Sequence, residues 1–291
     1  MGVRTYNLKL KLELLSFSGA IMRRITIALL TGVATALGGQ GASGAELAVK
    51  AAPPRPSAQP WTGPYIGLNA GWVGADSRSA PLGGTDNGPG GLGTLLSTGL
   101  IPSAFDLKPN GFIGGGQIGY NWQFSNWVFG FEGDFDGTSL KRTQTQLGYF
   151  PLITTNYSQT LTRELEWLAT VRGRVGVTWA HVLFYGTAGL AVGQTKIGLT
   201  AIDLIDPVPP LNASSTNNNI QAGWTIGGGA EWKLSPQWSL KAEYLYVDLG
   251  AKSSTVPYAY SFGFVGINNS SLTVRIKEQY NIARAGVNLS F

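Results

Sequence analysis

The sequence contains no cysteine and a single histidine, His181, and only 13% of its residues are charged. Without cysteine, neither a disulfide scaffold nor a thiolate metal site is available. One imidazole removes most histidine-dependent chemistry, including general-base triads and zinc sites that need two or three imidazoles. A basic stripe is missing as well. Of 21 basic and 16 acidic residues, Arg4, Lys9, Lys11, Arg23, Arg24 and Glu13 fall within residues 1–45, which leaves 16 against 15 in the remainder. That remainder has no surplus charge with which to neutralise phosphates, so a nucleic-acid partner is not expected. A long apolar run is also lacking: Ile25–Leu37 falls short of the about 20 residues an ordinary transmembrane helix needs.

What is present at the N-terminus reads as targeting. Arg23 and Arg24 precede that apolar run, and small residues follow as far as Ala42-Ser43-Gly44-Ala45, the order of a secretory signal peptide. Residues 1–45 are therefore assigned to a signal region, with Met22 as an alternative start. Residues 46–60 carry Pro53, Pro54, Pro56 and Pro60 and form an extended periplasmic linker. The domain proper is residues 61–291.

Glycine and aromatic residues dominate this domain. Gly costs roughly 1 kcal/mol relative to Ala in a helix interior, and here it recurs inside the regular segments, which argues against helices. The hydrophobic period is close to two. Phe112, Gly114, Gly116, Ile118, Tyr120, Trp122 and Phe124 alternate with Ile113, Gly115, Gln117, Gly119, Asn121 and Gln123. Trp127, Phe129, Phe131 and Phe135 alternate with Val128, Glu132, Asp134 and Asp136. Similar segments at about 64–75, 161–177, 182–195, 220–234, 238–249 and 273–291 bring the expectation to eight strands.

Tight turns at Ser125-Asn126, about 178–181 and Ser235-Pro236-Gln237 alternate with long connections at about 76–110, 138–160, 196–219 and 250–272. This pattern predicts an all-β, eight-stranded antiparallel up-and-down transmembrane barrel with short periplasmic turns and long extracellular loops. A soluble lipocalin-like barrel is the alternative, but its ionised face would turn large apolar faces to water over far too great an area. Trp61, Trp122, Trp127, Trp179, Trp232 and Trp238 lie beside the short turns and are expected to form a periplasmic aromatic girdle. Glu132, Asp134, Glu164, Glu166, Arg172, Arg174, Glu231, Lys233, Lys241, Glu243 and Arg284 are expected to pair inside the lumen. From their distances to the turns, Glu132, Glu243, Arg172 and Arg174 should share one level. Eight strands enclose a space just wide enough for side chains to fill. The final alternation, Val287, Leu289 and Phe291, resembles the signal by which the bacterial barrel-assembly machinery takes up its clients.

The stretches Trp61-Thr-Gly-Pro-Tyr-Ile-Gly-Leu-Asn-Ala-Gly-Trp72, Gly114-Gly-Gly-Gln-Ile-Gly-Tyr-Asn-Trp122, Gly130-Phe-Glu-Gly-Asp134 and Lys241-Ala-Glu-Tyr-Leu-Tyr-Val-Asp-Leu249 resemble the outer-membrane immunogenic protein (porin-like) family of alphaproteobacteria. The resemblance covers residues 46–291. It implies an abundant outer-membrane surface barrel that contributes to envelope integrity, with pore formation or haem binding suggested for some members. Outer-membrane lipid, lipopolysaccharide and the assembly machinery are the expected partners. Other chemistry reads weakly. Gly114, Gly116 and Gly119 match a dinucleotide fingerprint but lie within a strand instead of opening a helix, and close backbone approach explains them better. Glu132 and Asp134 fit an ion-pair network better than a catalytic carboxylate pair. No enzymatic activity, cofactor or metal is expected. A small narrow pore or a haem-binding surface receptor stands as the alternative function, with Tyr149, Tyr157, Tyr258 and Tyr260 as loop residues for haem. No soluble segment follows Phe291, so an attached peptidoglycan-binding domain is not expected.

Overall fold

A computed structural model of the chain describes residues 61–76, 80–85, 103–150, 155–204, 212–262 and 265–291. The signal region 1–45 and the linker 46–60 lie outside the described residues. The strands are β1 (Gly63–Ala75), β2 (Ala80–Thr85), β3 (Ala104–Phe105), β4 (Asn110–Phe124), β5 (Trp127–Thr138), β6 (Lys141–Phe150), β7 (Thr155–Trp179), β8 (Val182–Leu204), β9 (Asn212–Lys233), β10 (Trp238–Phe262) and β11 (Val265–Ser290). The order β1-β4-β5-β7-β8-β9-β10-β11 closes on itself through antiparallel pairing of β1 with β11. These are the eight strands that the periodicity delimits.

The hairpin ends follow from local backbone chemistry. β4 and β5 are joined by Ser125-Asn126, and β7 and β8 by Ala180-His181; the first residue of each turn has positive φ, 56° at Ser125 and 52° at Ala180. Turns of this kind match the right-handed twist of their strands. The β9–β10 turn is held by Leu234 N–H donating to Trp238 O at 2.9 Å.

At the other end the expected loops are largely strand. β7 to β11 each run 22 to 26 residues, and the 138–160, 196–219 and 250–272 segments carry the hairpin extensions. β6 continues β5 along β7, and β2 continues β1 along β11. Much of the Ser, Thr and Asn content that suggested loops belongs to outward strand positions, while Asn217 donates to the buried Ser254 at 2.9 Å. Thr143 pairs with Thr162, Thr145 with Thr160 and Thr255 with Thr273, hydroxyl to hydroxyl at 2.9–3.0 Å, a cross-strand pairing that stabilises sheets. Many inward positions here are apolar: Leu161, Ile197, Leu199, Val274 and Ile276 are buried, alongside the polar Gln159 and Ser254. β9 and β10 pair only as far as Trp224 and Asp248. Just above, β10 shifts register between Asp248 and Ala251, and Gly250 adopts φ 84°, a conformation that favours glycine.

Candidate functional site in the barrel lumen

Strand alternation sends every second side chain inward, and the lumen fills in layers from the periplasmic end. The first is aromatic. Trp61, Val128, Leu183 and Tyr185 pack together, with the Lys233 ammonium 5.0 Å from the Trp61 ring. Trp61 is 6% exposed. It shares the inward face of Tyr65, Asn69 and Val73 and so closes the mouth of the barrel instead of joining the girdle expected of it. Trp122, Trp127, Trp179, Trp232 and Trp238 do lie exposed on the outer surface.

The second layer is ionic. Arg172 donates to Glu132 at 2.6 Å, to Asp134 at 2.7 Å, to Glu243 at 2.9 Å and to Thr170 at 2.9 Å. Arg284 donates to Glu243 at 2.8 Å, Asp134 at 3.0 Å and Asp136 at 2.7 Å. Lys241 bridges both oxygens of Glu132 at 2.6 and 2.8 Å. Arg174 reaches Glu231 at 2.7 Å and lies 4.2 Å from the centre of the Tyr185 ring. Tyr65 donates to Glu132 at 2.7 Å and Tyr185 to Glu243 at 3.1 Å. Glu132, Glu243 and Arg172 thus share one level, with Arg174 beside them. Every one of these charged groups is buried, and pairing offsets the several kcal/mol that each bare ion would otherwise cost. Glycines make room for the rings: a Cβ on Gly119 would stand 2.3 Å from the Tyr65 hydroxyl, and one on Gly229 2.8 Å from that of Tyr185. Gly119 therefore serves close approach, as its place in a strand suggests.

The third layer is apolar. Val73, Ile113, Leu165, Leu168, Leu245, Val247 and Ile282 form one buried cluster above the charges. Above it lies an isolated pair, Arg163 to Glu278 at 2.7 Å, with the Tyr280 hydroxyl donating to the same carboxylate.

Two residues assigned to the lumen face outward. Glu164 pairs with Lys141 at 3.1 Å, and Glu166 with Lys196. The cause is a bulge: Leu165 opposes Thr195 while Trp167 opposes Gln194, so Glu166 is an extra residue and the inward parity of β7 switches. Below the bulge Leu168, Thr170, Arg172 and Arg174 point in; above it Leu165, Arg163, Leu161 and Gln159 do. Leu165, placed on the lipid face by strict alternation, is consequently core. The same switch hides Arg163 from any even-numbered reading. Asp136 and Glu278 were legible, because each shares parity with charged neighbours, Glu132 and Asp134 in one case and Arg284 in the other. Lys233 sits at the mouth against Trp61. Of the terminal positions, Val287 and Phe291 are exposed and Leu289 is half-buried. Tyr149, Tyr157, Tyr258 and Tyr260 lie on strand extensions, and their side chains are outside the described residues.

The outer surface of the same barrel exposes Ile66, Leu68, Ile118, Phe129, Phe131, Val171, Val175, Leu190 and Ile226 in a continuous band. Its upper border is aromatic: Phe135 stacks on Trp167 at 5.6 Å and Trp224 packs on Tyr246 at 5.4 Å, with Trp72 and Tyr244 exposed alongside. An apolar band between two aromatic girdles is the exterior of a lipid-spanning barrel. Residues 41–277 match the family model of the outer membrane protein beta-barrel domain. The chain belongs to this family. It is 34% identical over 246 residues to the 31 kDa outer-membrane immunogenic protein of Brucella melitensis, a match covering 82% of this chain and 89% of that one. The 22 kDa outer membrane protein of Rhizobium leguminosarum is 30% identical over 144 residues, 47% of this chain and 54% of its own. The crystal structure of the outer membrane protein OprG from Pseudomonas aeruginosa aligns over 80% of this chain and 99% of that chain, at 11% identity and a TM-score of 0.39. As a member of this outer-membrane family, the barrel resides in the outer membrane with its long hairpins outside the cell.

Proposed function

We propose that this outer-membrane barrel is a non-enzymatic, non-conducting structural protein that reinforces the envelope and presents its β-hairpins at the cell surface. The observation that carries the reading is the stacking of the lumen. A water path would have to pass Trp61, then the Arg172–Arg284 ion network, then an apolar layer in which Val73, Ile113, Leu165 and Leu245 are fully buried. Apolar walls offer transit water no hydrogen bonds and an ion no compensation for lost hydration. The lumen carboxylates named above are engaged by arginine or lysine, which favours a structural over a catalytic role. The 31 kDa relative is described as immunogenic, and hairpins projecting above the aromatic border suit exposure of that kind.

Planar-bilayer recording on the membrane-purified protein tests the seal. No discrete current steps are expected from the wild type, whereas Arg284→Ala combined with Leu168→Ala and Leu245→Ala should produce them. Stable steps from the wild type would overturn the reading and favour the narrow pore. Deleting the gene in its native host should raise sensitivity to detergents and bulky antibiotics, and unchanged sensitivity would remove the envelope role.

A further inference from the structure

On β1, β10 and β11 the lipid-facing band carries a run of alanines between large side chains. A groove of about 660 Å³ lies on its outer half, floored by Ala70, Ala283 and Ala285 and walled by Trp72, Phe112 and Tyr244. Its shape follows from register. Ala283 is paired with Trp72 on one side and with Tyr244 on the other, and Ala285 likewise with Ala70 and Ala242. Two strand spacings separate the walls by about 10 Å, wide enough for a hydrocarbon chain lying along β11. Below the groove Val287, flanked by Leu68 and Leu240, closes it.

Upward, the outward face of β11 changes chemistry in steps. It reads Ala285, Ala283, Asn281, Gln279, Lys277, Arg275, passing from apolar through amide to cationic. Tyr244 donates to Asn281 at 2.6 Å and Gln279 to Asp248 at 2.8 Å, which fixes the amide level. Asp76 flanks that level too, its backbone N–H bonded to Gln279 O at 3.0 Å. These two carboxylates repel phosphate there and leave Lys277 and Arg275 as the place for an anion. Both cations are exposed, and no ion pair engages either one among the described residues.

We infer that the β1–β10–β11 face holds one phosphate-bearing lipid of the outer leaflet, with an acyl chain in the alanine groove and its phosphate on Lys277 and Arg275. From Ala285 to Lys277 the strand covers roughly 26 Å at about 3.3 Å per residue, and strand tilt reduces this to the reach of one long-chain lipid. The order of chemistry along β11 is the order of the lipid itself: chain, polar linkage, phosphate. This gives the expected lipid partnership a definite address.

Native mass spectrometry of the detergent-released protein, offered dipalmitoyl phosphatidylglycerol or dipalmitoyl phosphatidylcholine, tests the site. Wild type should retain the anionic lipid over the zwitterionic one by at least about fivefold, the worth of a single basic residue near a charged headgroup. Arg275→Gln with Lys277→Gln should abolish the preference, lowering retention of phosphatidylglycerol more than that of phosphatidylcholine. Ala283→Phe should lower retention of both lipids, and Ala285→Leu serves in its place if that variant fails to show the heat-dependent gel shift of a folded barrel. Equal retention of the two lipids by wild type, or undiminished preference in the double-charge variant, would overturn the headgroup assignment. Full retention in a folded groove variant would overturn the groove.

Discussion

Below its outer aromatic border the barrel is built around a charged layer within and is apolar without; above it, the same strands bury mainly aliphatic side chains around the single Arg163–Glu278 pair and are polar without. Arg172 and Leu161 stand on one strand, both fully inside, and Val175 and Thr160 on that strand both face out. The inversion teaches that solvent, not strand geometry, decides which face is hydrophobic. Lipid rewards large apolar side chains outside and leaves a narrow interior to be filled by whatever can satisfy itself. Water reverses the exterior requirement and lets an ordinary hydrophobic core form inside the hairpin extensions.

The inversion can be broken most severely at Arg172. Arg172→Met takes one charged partner from each of Glu132, Asp134 and Glu243, leaving them to Lys241 and Arg284, and should lower unfolding free energy by about 3–5 kcal/mol, the cost of breaking a buried ion pair. Urea titration of the detergent-folded barrel measures it; a loss below about 1 kcal/mol would mean that the carboxylates are reached by water.

The exterior of the membrane zone comes next. Val175 lies four residues above Trp179, roughly 13 Å along the strand at 3.3 Å per residue, which brings it near the midplane. Val175→Arg should cost about 2–4 kcal/mol, as cations do on the lipid face at that depth. The same titration in lipid vesicles checks it.

Inside the upper region, Leu199→Ala should cost about 2–3 kcal/mol, at the lower end for a core leucine because hairpin extensions can close on a cavity. Hydrogen exchange should show the loss confined to the upper parts of β7, β8 and β9, while amides flanking Arg172 keep their protection. Exchange rising equally in both zones would show that the two cores unfold as one.

The smallest effect is the sharpest test of the inversion. Thr145 faces out on β6, paired with Thr160, and Thr145→Arg should change stability by less than about 0.5 kcal/mol, as exposed substitutions do. A penalty matching that of Val175→Arg would place β6 in lipid and move the membrane border upward.

The period of two, the short turns and the tryptophans beside them were enough to read a closed barrel of eight strands from residues 61–291, because those features repeat every hairpin. Most of the ionic layer was legible for the same reason, since Glu132, Asp134, Arg172, Arg174, Lys241, Glu243 and Arg284 each alternate with apolar neighbours. Alternation is a local rule, however, and it has no memory across an inserted residue. At Glu166 one extra residue in β7 opposite Thr195 and Gln194 turned Glu164 and Glu166 outward and brought Arg163 and Leu165 in. Only the register of β7 against β8 reveals it. Trp61 shows the converse: its parity with Tyr65 and Asn69 marks it as inward, but proximity to the turns suggested a girdle, and the choice depended on Lys233 and Val128 arriving from other strands. Sequence by itself determined strand number, direction and the sign of each face within the membrane, because these rest on local chemistry meeting one solvent. Tertiary structure alone decided where the two solvents change over, which charges meet, and that alanines from distant strands align into a groove, because each depends on the register between strands and not on spacing along one of them.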